Sequence, residues 1–175
     1  KLDRITQQMG TIVERSARSP IFTDAHDFSC FLTDAKGRLI AQADGLPIHT
    51  GGAGETIKSI IRYFDDIGPG DIIIANDPYL PAGSHLPDII LTMPIFLEDS
   101  LCFFAGVRGH HIDIGGGHAG GFMPGATEIF QEGLRIPPLR IAQAALPPKP
   151  DFFSYSHLFN ETKGDIAQFT IKPPF

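Results

Sequence analysis

From Leu2 to Val13 the apolar residues Leu2, Ile5, Met9, Ile12 and Val13 recur at the three-to-four spacing of one helical face, and the pattern stops before Ser19-Pro20. This predicts an amphipathic N-terminal helix. Two short runs rich in β-forming residues follow, Asp27–Thr33 and Arg38–Gln42, joined by Asp34-Ala-Lys-Gly37. Gly37 can take the positive φ that a tight hairpin needs, so the two runs are expected to pair antiparallel. Gly45–Gly54 reads as a loop carrying His49. Ile57, Ile60, Ile61 and Phe64 then mark one face of a second helix over 55–64, ended by Asp65-Asp-Ile-Gly-Pro69.

The continuous apolar run Asp71–Ala75 predicts a strand buried on both faces, which delivers Asn76-Asp77-Pro78 to its end. The loop Tyr79–Pro87 carries His85. Ile89–Phe96 and Leu101–Val107 are two more strands, with Glu98-Asp-Ser100 as their turn. A hairpin turning there sets Asp88 opposite His110 and lets His85 fold over from the preceding loop. Gly115–Gly125 is too rich in glycine for a helix or a central strand, and its backbone amides can approach a ligand closely. Leu134–Pro138 is extended by its prolines. The stretch 143–175, with Pro147-Pro-Lys-Pro150 and Lys172-Pro-Pro174, has no long period and reads as a linker or an incomplete element after a domain over 1–142. These elements predict a mixed α/β class, with a largely antiparallel or mixed sheet and flanking helices.

Composition narrows the function classes. The 175 residues are 42% hydrophobic, enough to bury one globular core, and the formal net charge is −6. Basic residues are scattered, so neither a phosphate-tracking stripe nor a membrane-surface helix is written here and nucleic acid is not an expected partner. No apolar stretch is long enough for a membrane span, and the charged segment Lys1–Arg18 does not read as a signal peptide. A soluble, cytoplasmic protein is expected. Cys30 and Cys102 each sit in an apolar run and are expected as buried, reduced thiols.

Candidate chemistry concentrates in His85-Leu-Pro-Asp88 and Arg108-Gly-His-His-Ile-Asp113, with His118 just beyond in a glycine run. Two neutral imidazoles with one or two carboxylates suit a divalent ion such as Mn²⁺, Fe²⁺ or Zn²⁺, and three protein ligands leave a coordination position open. The plainer alternative is that these histidines only cap a turn and hydrogen-bond within a sheet. His26 and His49 read as loop hydrogen-bonders rather than catalysts. Asp77 fits either a general base or an Asx-type cap.

Several ordered motifs carry a family resemblance. They are Glu14-Arg-Ser-Ala-Arg-Ser-Pro-Ile, Asp27-Phe-Ser-Cys, Asp34-Ala-Lys-Gly-Arg-Leu-Ile-Ala-Gln42, Pro47-Ile-His49 and Gly70-Asp-Ile-Ile-Ile-Ala-Asn-Asp-Pro-Tyr79, then His85-Leu-Pro-Asp88, Arg108-Gly-His-His-Ile-Asp-Ile-Gly-Gly116 and Glu132-Gly-Leu-Arg-Ile-Pro-Pro138. Together they resemble the hydantoinase B family over residues 4–142. That family includes B subunits of ATP-dependent N-methylhydantoinase and 5-oxoprolinase and α subunits of acetone and acetophenone carboxylases.

The resemblance implies a division of labour. A hydantoinase A-type ATPase partner activates the carbonyl substrate, and the B-type subunit acts on it at a divalent metal, in a hetero-oligomer. The sequence agrees in what it lacks, since Gly52-Ala-Gly-Glu-Thr-Ile-Lys58 does not have phosphate-loop spacing and ATP is expected on the partner. Matching the His-x-x-Asp and His-His motifs implies His85, Asp88 and one of His110 or His111 as ligands. His110 is favoured, with His111 as an outer or substrate contact; adjacent residues of a strand face opposite sides, so only one of the two need face the metal. Asp77 and Asp113 are candidate partners that orient imidazoles. The expected reaction is ATP-dependent opening of a cyclic amide or imide of hydantoin or 5-oxoproline type. The alternatives are a ketone carboxylase α subunit and a non-catalytic assembly module. Family subunits are longer than this chain, and position 1 is not Met, so a fragment or a shortened homologue is expected.

Overall fold

A computed structural model describes residues 1–143, apart from 44–45, 47–48, 50 and 81–82. The elements are α1 (Leu2–Ser16), α2 (Pro20–Thr23), β1 (Phe28–Asp34), β2 (Leu39–Gln42), α3 (Ala53–Tyr63), β3 (Ile72–Ala75), β4 (Asp88–Leu97), β5 (Ser100–His110) and β6 (Leu139–Ala142), with one 3-10 turn at Ile129–Gln131. The strands form one six-stranded sheet in the order β2-β1-β5-β4-β3-β6. Every neighbouring pair is antiparallel. Among the described residues the sheet is therefore antiparallel throughout, the first of the two expected forms. No described helix is long and apolar enough to cross a membrane.

The alternation of β1 explains the layering. Phe28, Cys30 and Leu32 pack with Met9, Val13 and Leu2 of α1, whereas Phe31 packs with Ile57 and Ile60 of α3. Successive strand residues face opposite ways, so the two helices cover opposite faces of the sheet. Glycines in β5 make room for this packing. Gly106 lies opposite Phe31, and a Cβ there would sit 2.2 Å from that ring; Gly109 leaves similar space for Phe22.

Several expectations need correction. The buried line of α1 includes Thr6 and Gly10, the latter beside Ala43 and Phe28, while Ile5 and Ile12 are exposed. Ala53 and Gly54 belong to α3 rather than to a loop, although part of 45–54 lies outside the described residues. In β3, Ile74 is only half-buried, so that strand is not covered equally on both sides. Cys30 is fully buried, but Cys102 is half-buried near the β4–β5 turn. Pro20–Thr23 forms a short helix capped by Ser19, and Leu139–Ala142 forms the edge strand β6 against β3; neither was expected. Apart from Gln143, the segment 143–175 lies outside the described residues.

Candidate metal centre and adjoining cleft

The β4–β5 hairpin pairs Asp88 with His110, as the spacing predicted. On the other side of β5, the His110 N–H donates to the Asp27 carbonyl at 3.0 Å. His85 lies in the turn that enters β4, where the Asp88 N–H donates back to the His85 carbonyl. The side chains converge. His85 Nε2 is 2.7 Å from Asp88 Oδ1, His110 Nδ1 is 3.1 Å from the same oxygen, and the two ring nitrogens are 3.3 Å apart. These three residues each offer one ligand atom, all within 4.8 Å of one another.

Asp88 is the anchor. It is 1% exposed, and its second oxygen accepts from Ser84 Oγ at 2.7 Å. Burial alone would raise its pKa, but the hydrogen bonds with His85 and Ser84 and the neighbouring imidazoles outweigh burial and hold the carboxyl at about 2. It is thus a carboxylate at neutral pH. Its hydrogen bond in turn raises the His85 pKa, against a smaller opposing effect of burial.

His49, expected only as a loop hydrogen-bonder, is a buried support. Its Nε2 lies 3.3 Å from Asp27 Oδ1 and 3.4 Å from Asp88 Oδ2. Burial lowers its pKa, and the two carboxylates only partly compensate. Its carbonyl accepts from Arg108, which is itself buried and donates its other nitrogen to Thr56 of α3. Asp27 was missed at sequence level. Its Oδ1 is buried without a hydrogen-bond partner in spite of its nearness to His49, so a carboxylate oxygen with unused capacity stands at the edge of the cluster. Two imidazoles and one ionised carboxylate form a donor set suited to a divalent ion.

The other predicted residues lie elsewhere. Asp77 is buried at the end of β3, where Oδ1 accepts from the Tyr79 N–H at 2.9 Å and Oδ2 pairs with Arg135 Nε at 2.8 Å. Its neighbour Asn76 donates to the carbonyls of Leu86 and Leu134 and accepts from the Ile136 N–H. This tethers the loop next to His85. His111 leaves β5 on the other side and packs edge-on against Phe22 at 5.9 Å, with burial the main cause of its lowered pKa. Asp113 accepts from the N–H groups of Gly115 and Gly120 and so closes the glycine-rich turn rather than orienting an imidazole. His26 and His118 are exposed.

A cleft of about 370 Å³ opens beside the cluster, walled by His85, Phe122, Met123, Pro124 and Glu132 among others. The Phe122 ring stacks on His110 at 6.2 Å and lies 5.9 Å from His85, yet remains 63% exposed. Of the cluster residues His85 lines this cleft, and Phe122, Met123 and Pro124 of the glycine-rich loop give it an apolar wall.

The family model described as "Hydantoinase B/oxoprolinase" matches residues 1–159. The chain belongs to the hydantoinase B/oxoprolinase family. Caprolactamase subunit beta of Pseudomonas jessenii is 39% identical over 142 residues, which cover 80% of this chain and 24% of that one. The crystal structure of the ATP-dependent caprolactamase from the same organism superposes with a TM-score of 0.70 at 39% identity, covering 78% of this chain and 24% of that one. 5-Oxoprolinase 1 of Arabidopsis thaliana is 34% identical over 140 residues, covering 79% of this chain and 11% of that protein. A nucleotide-free acetone carboxylase structure superposes with a TM-score of 0.74 at 27% identity, covering 81% of this chain and 19% of that one. This member of the hydantoinase B/oxoprolinase family thus spans about a quarter or less of the relatives it matches.

Proposed function

We propose that this chain carries the metal-binding part of a B-type subunit that opens a cyclic amide or imide, of hydantoin or 5-oxoproline type, in an ATP-dependent hydrolase. His85, Asp88 and His110 are the proposed ligands of Mn²⁺, Zn²⁺ or Fe²⁺. The convergence of three ligand atoms within 4.8 Å, beside a cleft, carries this reading. When bound, such an ion supplies a Lewis acid that polarises a carbonyl oxygen and acidifies water.

The chain's own groups have separate tasks in this reading. Asp88 stays ionised and holds both ligand imidazoles to one oxygen. His49, whose pKa burial lowers, is placed between Asp27 and Asp88 and fills the buried space behind the cluster. Asp77 is assigned a positioning role rather than proton transfer, because both of its oxygens are engaged. His111 is assigned an outer role, packed on Phe22. ATP is assigned to a hydantoinase A-type partner in a cytoplasmic hetero-oligomer, and residues 1–142 to one hydantoinase B-like unit. The likeness to acetone carboxylase favours ketone carboxylation as the second reading.

Elemental analysis after dialysis, on the wild type and Asp88→Asn, tests the proposal. We expect close to one Mn, Zn or Fe per wild-type chain and loss of metal in the variant with an unchanged circular-dichroism spectrum. A folded wild type that binds no divalent ion, or a variant that keeps it, would sink the proposal.

A further inference from the structure

We propose that Arg108 is a positioning residue for the cluster. Its guanidinium fixes the backbone at His49, and the His49 imidazole is thereby held against the Asp88 oxygen that His85 and His110 do not use. The consequence for ion binding rests on the reading of the cluster as a metal centre, whereas the placement of His49 does not.

A closed circuit of contacts carries it. Arg108 lies on β5, on the same side of the strand as His110, and is 1% exposed. Its Nη1 donates to the His49 carbonyl at 2.9 Å, and its Nη2 donates to Thr56 Oγ1 at the same distance. Thr56 is fixed in turn, because its hydroxyl donates to the carbonyl of Gly52, the N-cap of α3, at 3.0 Å. From that tethered backbone the His49 ring reaches Asp88 Oδ2 at 3.4 Å and Asp27 Oδ1 at 3.3 Å. Asp88 pairs with His110 across β4 and β5, so the circuit returns to the strand on which Arg108 starts.

The choice of a buried arginine here is not explained by anchoring α3. Ile57 and Ile60 of that helix already pack with Phe31, Ile73, Ile90 and Phe104. A buried guanidinium gives up its hydration, and apolar side chains of similar size serve as well or better where stability alone is at stake. They cannot supply a planar fork whose donors stand at a fixed separation. In this chain one prong of the fork takes a backbone carbonyl and the other a helix hydroxyl, which sets the segment carrying His49 at one distance from α3. Outer groups that orient a ligand change metal affinity by about 10- to 100-fold when they are removed. Arg108 acts on the cluster at one further remove, through His49.

The test uses the whole chain, with circular dichroism as the check on folding. In metal-free protein, long-range proton–nitrogen NMR follows the His49 ring, whose signals are assigned by their loss in His49→Ala. Arg108→Met should move these signals, and Ile60→Val, which trims the core face of α3, should leave them in place. Co²⁺ is then added, since its visible bands report ligand geometry as well as affinity. We expect Arg108→Met to weaken Co²⁺ binding roughly tenfold and to shift the bands in the same direction as His49→Ala. The Arg108→Met/His49→Ala double variant should bind within about twofold of His49→Ala, because groups that act through one another are not additive. If Arg108→Met does not fold, Arg108→Lys, which has one ammonium in place of the fork, is read in the same way. A wild type that binds no Co²⁺ removes the metal-centre reading, and the imidazole signals then decide the placement of His49 by themselves. Unmoved His49 signals in the folded Arg108 variant, equal shifts in Ile60→Val, or losses of affinity that multiply in the double variant would overturn the proposal.

Discussion

Gly106→Ala probes how β1 and β5 are held together, and β5 ends at His110. The added Cβ would lie 2.2 Å from Phe31 Cζ and 2.6 and 2.7 Å from the adjacent ring carbons. Non-bonded carbons settle at about 3.5–4.0 Å, so the ring would have to retreat by more than 1 Å, roughly. Phe31 cannot do this freely, because it is 0% exposed and packs with Ile57 and Ile60 beneath α3. Overpacking of this kind costs about 1–3 kcal/mol. Removing a glycine from the unfolded chain returns about 0.4–1 kcal/mol. A net loss of about 1–2 kcal/mol is expected, or about 3–8 °C in melting temperature for a domain of this size. Urea unfolding followed by far-UV circular dichroism measures it, with an unchanged m-value as the check that the two-state comparison holds. The double variant Gly106→Ala/Phe31→Leu removes the ring that the methyl strikes. Its stability should exceed the sum of the two single effects by about 1 kcal/mol. A neutral Gly106→Ala, or effects that simply add, would refute the close-packing account.

Three further outcomes are expected. Asn76→Ala leaves the Ile136 N–H and the Leu86 and Leu134 carbonyls without their side-chain partner and should cost about 2–4 kcal/mol in urea unfolding; the same stability as the wild type would contradict the tethering role. In the β1–β2 turn, the backbone N–H of Arg38, then its guanidinium and the Lys36 N–H, hold Asp34 below its ordinary pKa of 3.8. A depressed carboxylate contributes stability above its unfolded pKa and loses it as pH falls through the folded value. The wild-type advantage over Asp34→Asn should therefore be full at neutral pH and shrink below pH 3.8, and a constant difference across a pH series of melting curves would count against the pairing. Finally, burial pushes the Cys30 thiol up to about 12, so iodoacetamide at mildly alkaline pH should modify Cys102 alone in the native chain and both thiols after unfolding. Mass spectrometry of the native adduct decides it, and carbamidomethyl on Cys30 would mean that the core of β1 opens.

What the sequence disclosed was local or nearly so. The β4–β5 register follows from two apolar runs meeting at one short turn, which is why Asp88 opposite His110 could be predicted. The β1–β2 turn was legible in the same way, since Gly37 does take φ +76°. Contacts that depend on strand order were not legible. Asp27 reaches the site because β1 pairs with β5, a neighbour that lies far along the chain. His49 becomes a buried support only once Arg108 crosses under α3 to meet Thr56. Glu132 carries no periodic signal, and its place beside His85 is set by glycine-permitted closure of the loop over its backbone. For Asp77, its position after a buried strand suggested chemistry, but the pairing partner Arg135 is 58 positions away.

The ligand candidates and the cleft wall sit on different kinds of chain. Asp88 and His110 belong to paired strands, and His85 to the turn that enters β4, whereas Phe122 and Met123 hang from a glycine-rich connection with no strand partner. Inherited changes therefore fall on the two parts unequally. Substitutions in the connection can reshape what the cleft admits while the strand-end cluster survives intact, whereas a slip of one residue in the β4–β5 register would turn Asp88 to the opposite face of the sheet and abolish the cluster. Under the proposed function such a scaffold would diversify its specificity by loop drift alone, and exchange of the 115–126 segment between relatives is the direct test of that.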